Sequence, residues 1–239
     1  AIVDLYGQVF ADNEVTGEAQ TRAEQLREAY VAETPAARLA AMHALWGSEA
    51  PDYGRLVLTA YAAARVPASA DLSDDAPSLI ASMLAAGLDR NAMRWGQFVS
   101  EGSAGWALLA LAQPQRSNAV DAGALDTFMS DDSSSNQRKS KFLLAGLAGL
   151  DRLDAGTIRS AAQQLDLDLA RESAWSRAIG KAADVNNPTL VALLAGLGMQ
   201  GDGWDKMTAR QLYHIVRSLN RVGLSAEARM IAAEAVARG

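Results

Sequence analysis

The sequence predicts an all-α fold, arranged as an irregular α-solenoid, that is, an array of antiparallel helix pairs. Alanine, the strongest helix former, makes up about one residue in five. Apolar residues recur at the three- and four-residue spacing of helices, and the predicted connections are short, about 2–8 residues. Aromatic residues make up only 6% of the chain, which disfavours a sheet. An irregular helical bundle is the alternative arrangement.

Capping residues mark helices in the first half of the chain. Thr34 followed by Pro35 is typical of a helix start, because threonine caps the first turn and proline fits the first helical position. The helix that follows places His43 on a stripe with apolar residues. We therefore expect His43 to be a core or interface residue with one hydrogen bond. Asp74 or Asp75 is expected to cap a later helix.

The second half contains the most polar stretch of the chain. Ser130–Asn136 consists of serine, aspartate and asparagine, which compete with helical hydrogen bonds. We expect a loop there, and a possible flexible break at 130–136 within one all-helical domain that spans 1–239. Four helices are predicted after it: Gln137–Leu147, Ala155–Leu165, Leu169–Ala183 and Pro188–Leu197.

The last two helices have the clearest signal. Thr208 and Gln211 have the spacing of a capping box, and an apolar stripe follows them. The final helix offers a face of small residues, so we predict an antiparallel hairpin with Ala232 buried against the preceding helix. Glu234 is assigned to the outer face, where its replacement by alanine would have almost no effect.

Composition disfavours several functional classes. A formal net charge of -6 disfavours binding to nucleic acid, which requires a basic face. The longest apolar runs are shorter than the ~20 residues of a membrane span. Cysteine is absent and the two histidines belong to no ligand cluster, so we expect no metal site. Gly196–Gly201 fits G-x-G-x-x-G but lacks the later acidic residue, so no dinucleotide cofactor is expected. The composition indicates a bacterial protein and leaves periplasm and cytoplasm both open.

Two segments carry a possible chemistry. Ala170-Arg-Glu172-Ser-Ala-Trp175, followed by Gly196-Leu-Gly-Met-Gln200, resembles the catalytic region of the lytic transglycosylases. The resemblance implies that Glu172 is the general acid of a cell-wall glycosidase. In that family a Tyr-Asn-Ala-Gly segment follows, and Leu212-Tyr213-His214 stands in its place here. The residue pattern alone instead predicts that Glu172 is a solvated residue on an amphipathic helix.

The function that follows from these observations is binding. No catalytic residue is assigned, and helical arrays offer long surfaces to partners. We therefore expect a non-enzymatic helical scaffold that binds a protein or peptide. The alternatives are a transglycosylase-like enzyme that uses Glu172, and a structural domain of a larger bacterial envelope protein.

Overall fold

The computed structural model describes residues 2–12, 15–47, 53–114, 119–201 and 203–239. Within these ranges the chain forms fourteen α-helices and four short 3-10 turns, and no strand. The prediction of an all-α protein is therefore confirmed. The chain divides into two compact units, which we call unit 1 (1–98) and unit 2 (99–239). Compact units can still unfold together, so a single domain over 1–239 stays a prediction.

Unit 1 is built from six α-helices, and each of the first five packs against the helix that follows it. Their bounds are α1 Ile2–Ala11, α2 Glu18–Val31, α3 Pro35–Trp46, α4 Tyr53–Ala63, α5 Ala76–Ala85 and α6 Asp89–Ala92. The predicted start of α3 is confirmed, since the Thr34 side chain accepts a hydrogen bond from the backbone N–H of Ala37.

A buried polar network joins three helices of unit 1. The indole Nε1 of Trp46 donates to Oγ1 of Thr59 at 2.9 Å, and the Thr59 and Ser82 hydroxyls lie 3.0 Å apart. His43, in contrast, is exposed, and its Nε2 lies 2.8 Å from Oδ1 of Asp75. The expected core position of His43 was therefore wrong, because α3 buries its neighbours Met42 and Trp46 and turns position 43 outward, whereas an interface position stays a prediction.

Unit 2 contains eight α-helices, and the central one, α9, packs against α7, α10, α13 and α14. Their bounds are α7 Ala104–Ala112, α8 Ala122–Asp131, α9 Arg138–Gly149, α10 Ala155–Gln164, α11 Ala174–Asp184, α12 Pro188–Gly198, α13 Ala209–Arg221 and α14 Ser225–Arg238. The apolar residues of α9 are buried along its whole length, which matches its central place.

The segment predicted as a loop at 130–136 is shorter than expected. Ser130 and Asp131 belong to α8, and a 3-10 turn begins at Ser135. The carboxylate of Asp132 accepts hydrogen bonds from the backbone N–H of Ser134 and from both N–H and O–H of Ser140. One acidic side chain therefore organises the connection and caps α9, which the polar composition alone did not indicate.

The C-terminal hairpin forms as predicted, but its contacts differ. The capping box of Thr208 and Gln211 is present, and α13 packs against α14. Ala232 is fully buried, and a Cβ built at Gly146 of α9 would lie 3.0 Å from its Cβ, so Ala232 packs against α9. Its burial against α13 stays a prediction. Glu234 is not free on the outer face. Its Oε1 accepts a hydrogen bond from Nε1 of Trp204 at 3.3 Å.

Candidate functional site

An open groove lies between α11 and α13 of unit 2, with a volume of about 330 Å³. We call it the α11–α13 groove. The fold brings Glu172 and His214 together there, although they lie in separate segments of the sequence. The other lining residues come from the two helices: Ser176, Arg177, Gly180, Lys181, Ala183, Asp184, Arg217, Ser218 and Arg221.

The periodicity of the two helices explains why charged side chains meet there. Helix α13 buries an apolar stripe that includes Leu212 and Ile215, so its other face carries Arg210, His214, Arg217 and Arg221 at three- and four-residue intervals. Helix α11 buries Ile179 and carries its cations, Arg177 and Lys181, four residues apart.

Small residues separate these two rows of cations and form the floor of the groove. Gly180 of α11 has space around it, since an added Cβ would meet no atom within 4 Å. Ser176 and Ser218 are buried and line the same cavity. The floor is therefore shallow and partly polar, with long basic side chains on both sides.

The charge of the groove is opposite to that of the chain. Four of its lining residues are arginine or lysine, and two, Glu172 and Asp184, are carboxylates. Asp184 forms an ion pair with Arg221 at the end of α11. Among the residues that the structure describes, Arg177 and Lys181 have no ion-pair partner. A surplus of positive charge thus remains in the groove of a protein whose formal net charge is -6.

His214 is the titratable group most affected by this environment. Partial burial lowers its pKa below the ordinary value, and the nearby Arg217 and Arg210 lower it further. The backbone carbonyl of Arg171, 3.4 Å from Nε2, and the Glu172 carboxylate act in the opposite direction without reversing the shift. Burial thus favours the neutral imidazole of His214, which can donate or accept a hydrogen bond.

Glu172 lines the groove, but it is not on a helix. The predicted helix Leu169–Ala183 begins only at Ala174, because Asp168 holds a turn through the backbone N–H groups of Ala170 and Arg171, and Ser173 caps α11. The Glu172 side chain is exposed. Its surroundings are open and charged, and they include His214 and the basic residues of the groove.

The two segments of the transglycosylase resemblance do meet in space. Nε1 of Trp175 donates to the carbonyl of Leu194 at 3.0 Å. A Cβ added at Gly198 would overlap the Trp175 ring, so only glycine allows this contact. Gly198 therefore ends α12 against an indole, and it does not open a helix toward a phosphate as a dinucleotide site requires.

Metal-binding clusters and membrane-spanning helices are both absent from the described ranges. These ranges contain no group of three or more side chains that could hold a metal ion. No helix within them combines the length and the hydrophobicity that crossing a bilayer requires.

The groove could have been found only in part from the sequence. The basic spacing along α13 is visible in the residue pattern, but basic residues look scattered when only runs along the chain are counted. The second row of basic residues, on α11, lies more than thirty positions earlier in the sequence. Only the fold brings the rows of α11 and α13 together. Comparison with protein-family models, with curated proteins and with solved structures found no match to this chain.

Proposed function

We propose that this protein is a non-enzymatic helical scaffold that binds a protein or peptide partner, and that the α11–α13 groove receives an acidic segment of that partner. The observation that supports this proposal is the surplus of cations in the groove, which opposes the sign of the whole chain. Charge complementarity of this kind steers association and selects a partner.

The spacing of the cations favours an acidic helix as the bound segment. Arg177 and Lys181 lie one helical turn apart, and the row from Arg210 to Arg221 extends over about 16 Å at 1.5 Å per residue. A partner helix with carboxylates at positions i, i+4 and i+7 can place two of them on Arg221 and Arg217 and the third beside the His214 imidazole, which offers a hydrogen bond. Such a helix would lie along the groove and oppose both rows.

A protein segment explains the groove better than a nucleic acid does. Glu172 and Asp184 interrupt the positive surface, and they would repel a backbone with a phosphate at every nucleotide. Acidic proteins carry discrete carboxylates and tolerate such interruptions. The overall negative charge of the chain adds a long-range repulsion of polyanions.

The finer architecture differs between the units. In unit 1 the helices α1 to α6 pack in chain order, which favours the predicted antiparallel array. In unit 2 the central α9 packs against α13 and α14, which are distant in sequence, and this favours the alternative of an irregular bundle. We infer an array-like first unit and a bundle-like second unit.

The proposal is tested by binding of a synthetic helical peptide with glutamates at i, i+4 and i+7, measured by calorimetry at low and at physiological salt. The test variant is Arg177→Glu with Lys181→Glu. The matched control is Arg90→Glu with Arg159→Glu, which changes the net charge equally at exposed sites outside the groove. We expect at least a tenfold loss of affinity in the test variant and no change in the control.

Three results would contradict the proposal. One is the absence of binding even at low salt. Another is an equal loss in both variants, which would indicate a nonspecific effect of net charge. The third is stronger binding of a single-stranded oligonucleotide than of the peptide, which would assign the groove to nucleic acid.

The transglycosylase-like alternative has one supporting observation, the contact of Trp175 with Gly198, which joins both segments of the resemblance. Peptidoglycan is the substrate to test, with release of soluble muropeptides as the measurement. Cleavage by the unaltered protein that disappears in Glu172→Gln would establish this alternative over the scaffold proposal. The second alternative, a structural domain of an envelope protein, predicts that neither the peptide nor peptidoglycan is bound.

A further inference from the structure

Helix α12 of unit 2 presents an apolar face that no described residue covers. Its sequence from Pro188 to Gly198 contains no charged residue. Only Val191 and Ala195 of this helix are buried. Large apolar side chains are exposed along it and at the turn before it: Val185 73%, Leu190 41%, Leu193 67% and Leu197 53%. Isolated apolar residues on a surface are ordinary, but a contiguous row marks a site of contact.

The face consists of two parallel strips. Successive residues of a helix are 100° apart, so Leu190, Leu193 and Leu197 form one ridge along α12. The small residues Thr189, Ala192 and Gly196 are also exposed and form a second strip beside that ridge. No atom lies within 4 Å of a Cβ added at Gly196, so this strip is an open channel.

We propose that the α12 face binds the α12 face of a second copy of this chain. A two-fold axis that runs along the helices, midway between the copies, brings each leucine ridge opposite the small-residue strip of the other. The surface is thus complementary to itself, as a two-fold interface requires. The absence of charge on α12 means that like charges do not oppose each other in this arrangement.

The exposed apolar area of α12 determines how strong a dimer we expect. The ridge and its flanks offer roughly 400 Å² of apolar surface in each copy, or about 800 Å² in a two-fold interface, which falls below stable dimers and within the range of weak, transient interfaces. We therefore expect a weak, reversible dimer that forms only at high protein concentration. The proposal is independent of the α11–α13 groove, and Arg177→Glu with Lys181→Glu should leave the dimer unchanged.

Sedimentation equilibrium of the full chain from about 1 µM to several hundred micromolar tests the dimer. We expect a monomer at the low end and a dimer at the high end. Leu193→Glu and, separately, Leu197→Lys should each raise the dissociation constant at least tenfold. The control is Tyr61→Glu, which adds the same charge as Leu193→Glu at a side chain that is 62% exposed in unit 1. Circular dichroism verifies that each variant is folded.

Disulfide trapping tests the direction of the helices. The chain has no cysteine, so one introduced at Thr189, Leu193 or Gly196 is the only thiol. When the two α12 helices run in the same direction, each residue lies near the same residue of the second chain. Mild oxidation should therefore link the dimer at all three positions. A Tyr61→Cys control should stay unlinked. Linkage at only one of the three positions would contradict this packing. A monomer at every concentration in sedimentation would overturn the proposal and would assign the face to a different protein.

Discussion

Replacement of Gly146 by alanine tests the close packing at the centre of unit 2. Gly146 lies inside α9, where an added Cβ would be 2.8 Å from Cδ2 of Leu111 and 3.0 Å from Cβ of Ala232. Both neighbours are fully buried, and the Ala232 Cβ cannot move without its backbone. Overpacking a core costs about 1–3 kcal/mol, whereas alanine in place of glycine inside a helix contributes about 0.5–1 kcal/mol. We expect a net loss of about 1–2 kcal/mol.

Gly180→Ala is the matched control. Gly180 also lies inside a helix of unit 2, but an added Cβ meets no atom within 4 Å, so only the helix propensity changes. This variant should gain about 0.5–1 kcal/mol. Urea unfolding followed by circular dichroism should therefore separate the two variants by about 2 kcal/mol, or roughly 4–8 °C in Tm. Equal midpoints, or a more stable Gly146→Ala, would refute the contact between α9 and α14.

Three other expectations concern polar side chains. Glu234→Ala should cost about 1 kcal/mol, because it removes the acceptor of the Trp204 indole, while Glu227→Ala on the exposed side of α14 should stay within about 0.5 kcal/mol in thermal melts. Burial would raise the pKa of Asp132, but hydrogen bonds outweigh it and lower that pKa. Its stabilisation is therefore present at neutral pH and lost in acid, and Asp132→Asn should cost about 1 kcal/mol at pH 7 and less from about pH 4 downward. The lowered pKa of His214 acts in the same direction, since the unfolded state again binds the proton more readily. Stability should fall as the pH decreases below about 6.5, and His214→Gln should flatten that part of the profile.

Local signals in the sequence predicted most helix boundaries. Thr34 and Thr208 cap α3 and α13 as expected, because a cap depends on a residue and its neighbours within one turn. The predicted start of α11 was too early, and capping residues also explain this error. Asp168 and Ser173 are both capping residues, and the sequence does not show that the first closes only a turn while the second begins the helix.

Contacts between distant elements could not be predicted in the same way. His43 lies beside apolar residues in the helical repeat, yet its partner Asp75 comes from the start of α5. Glu234 was assigned to solvent because its own helix contains Arg238 four residues later, and the Trp204 side chain that contacts it lies thirty positions earlier. Periodicity gives the direction of a side chain within its helix, whereas its partners depend on tertiary packing.

The candidate site depends both on a local residue pattern and on tertiary packing. A solvated helix face normally mixes charges, as α2 does with its Glu18–Arg22 pair. Helix α13 contains several basic residues and no acidic one, and α11 adds Arg177 and Lys181 one turn apart. Like charges at i, i+4 destabilise a helix by about 0.2–0.5 kcal/mol per pair. The repulsion between the basic residues of the groove therefore lowers the stability of the free protein, whereas a solvated face with mixed charges avoids this loss.

An anionic partner would remove that cost, which leads to a prediction with opposite signs for stability and binding. Arg177→Gln should raise the stability of the free protein by a few tenths of a kcal/mol, because it relieves the repulsion of Lys181 and leaves Lys181 in the last turn of α11, where the helix dipole favours a cation. The same variant should bind the acidic helix several-fold more weakly. Arg159→Gln, at an exposed site on α10, should change neither quantity beyond the effect of net charge. Melting curves and calorimetry at low salt measure the two effects. A variant that is both less stable and equally able to bind would show that Arg177 stabilises the fold and does not contact a partner.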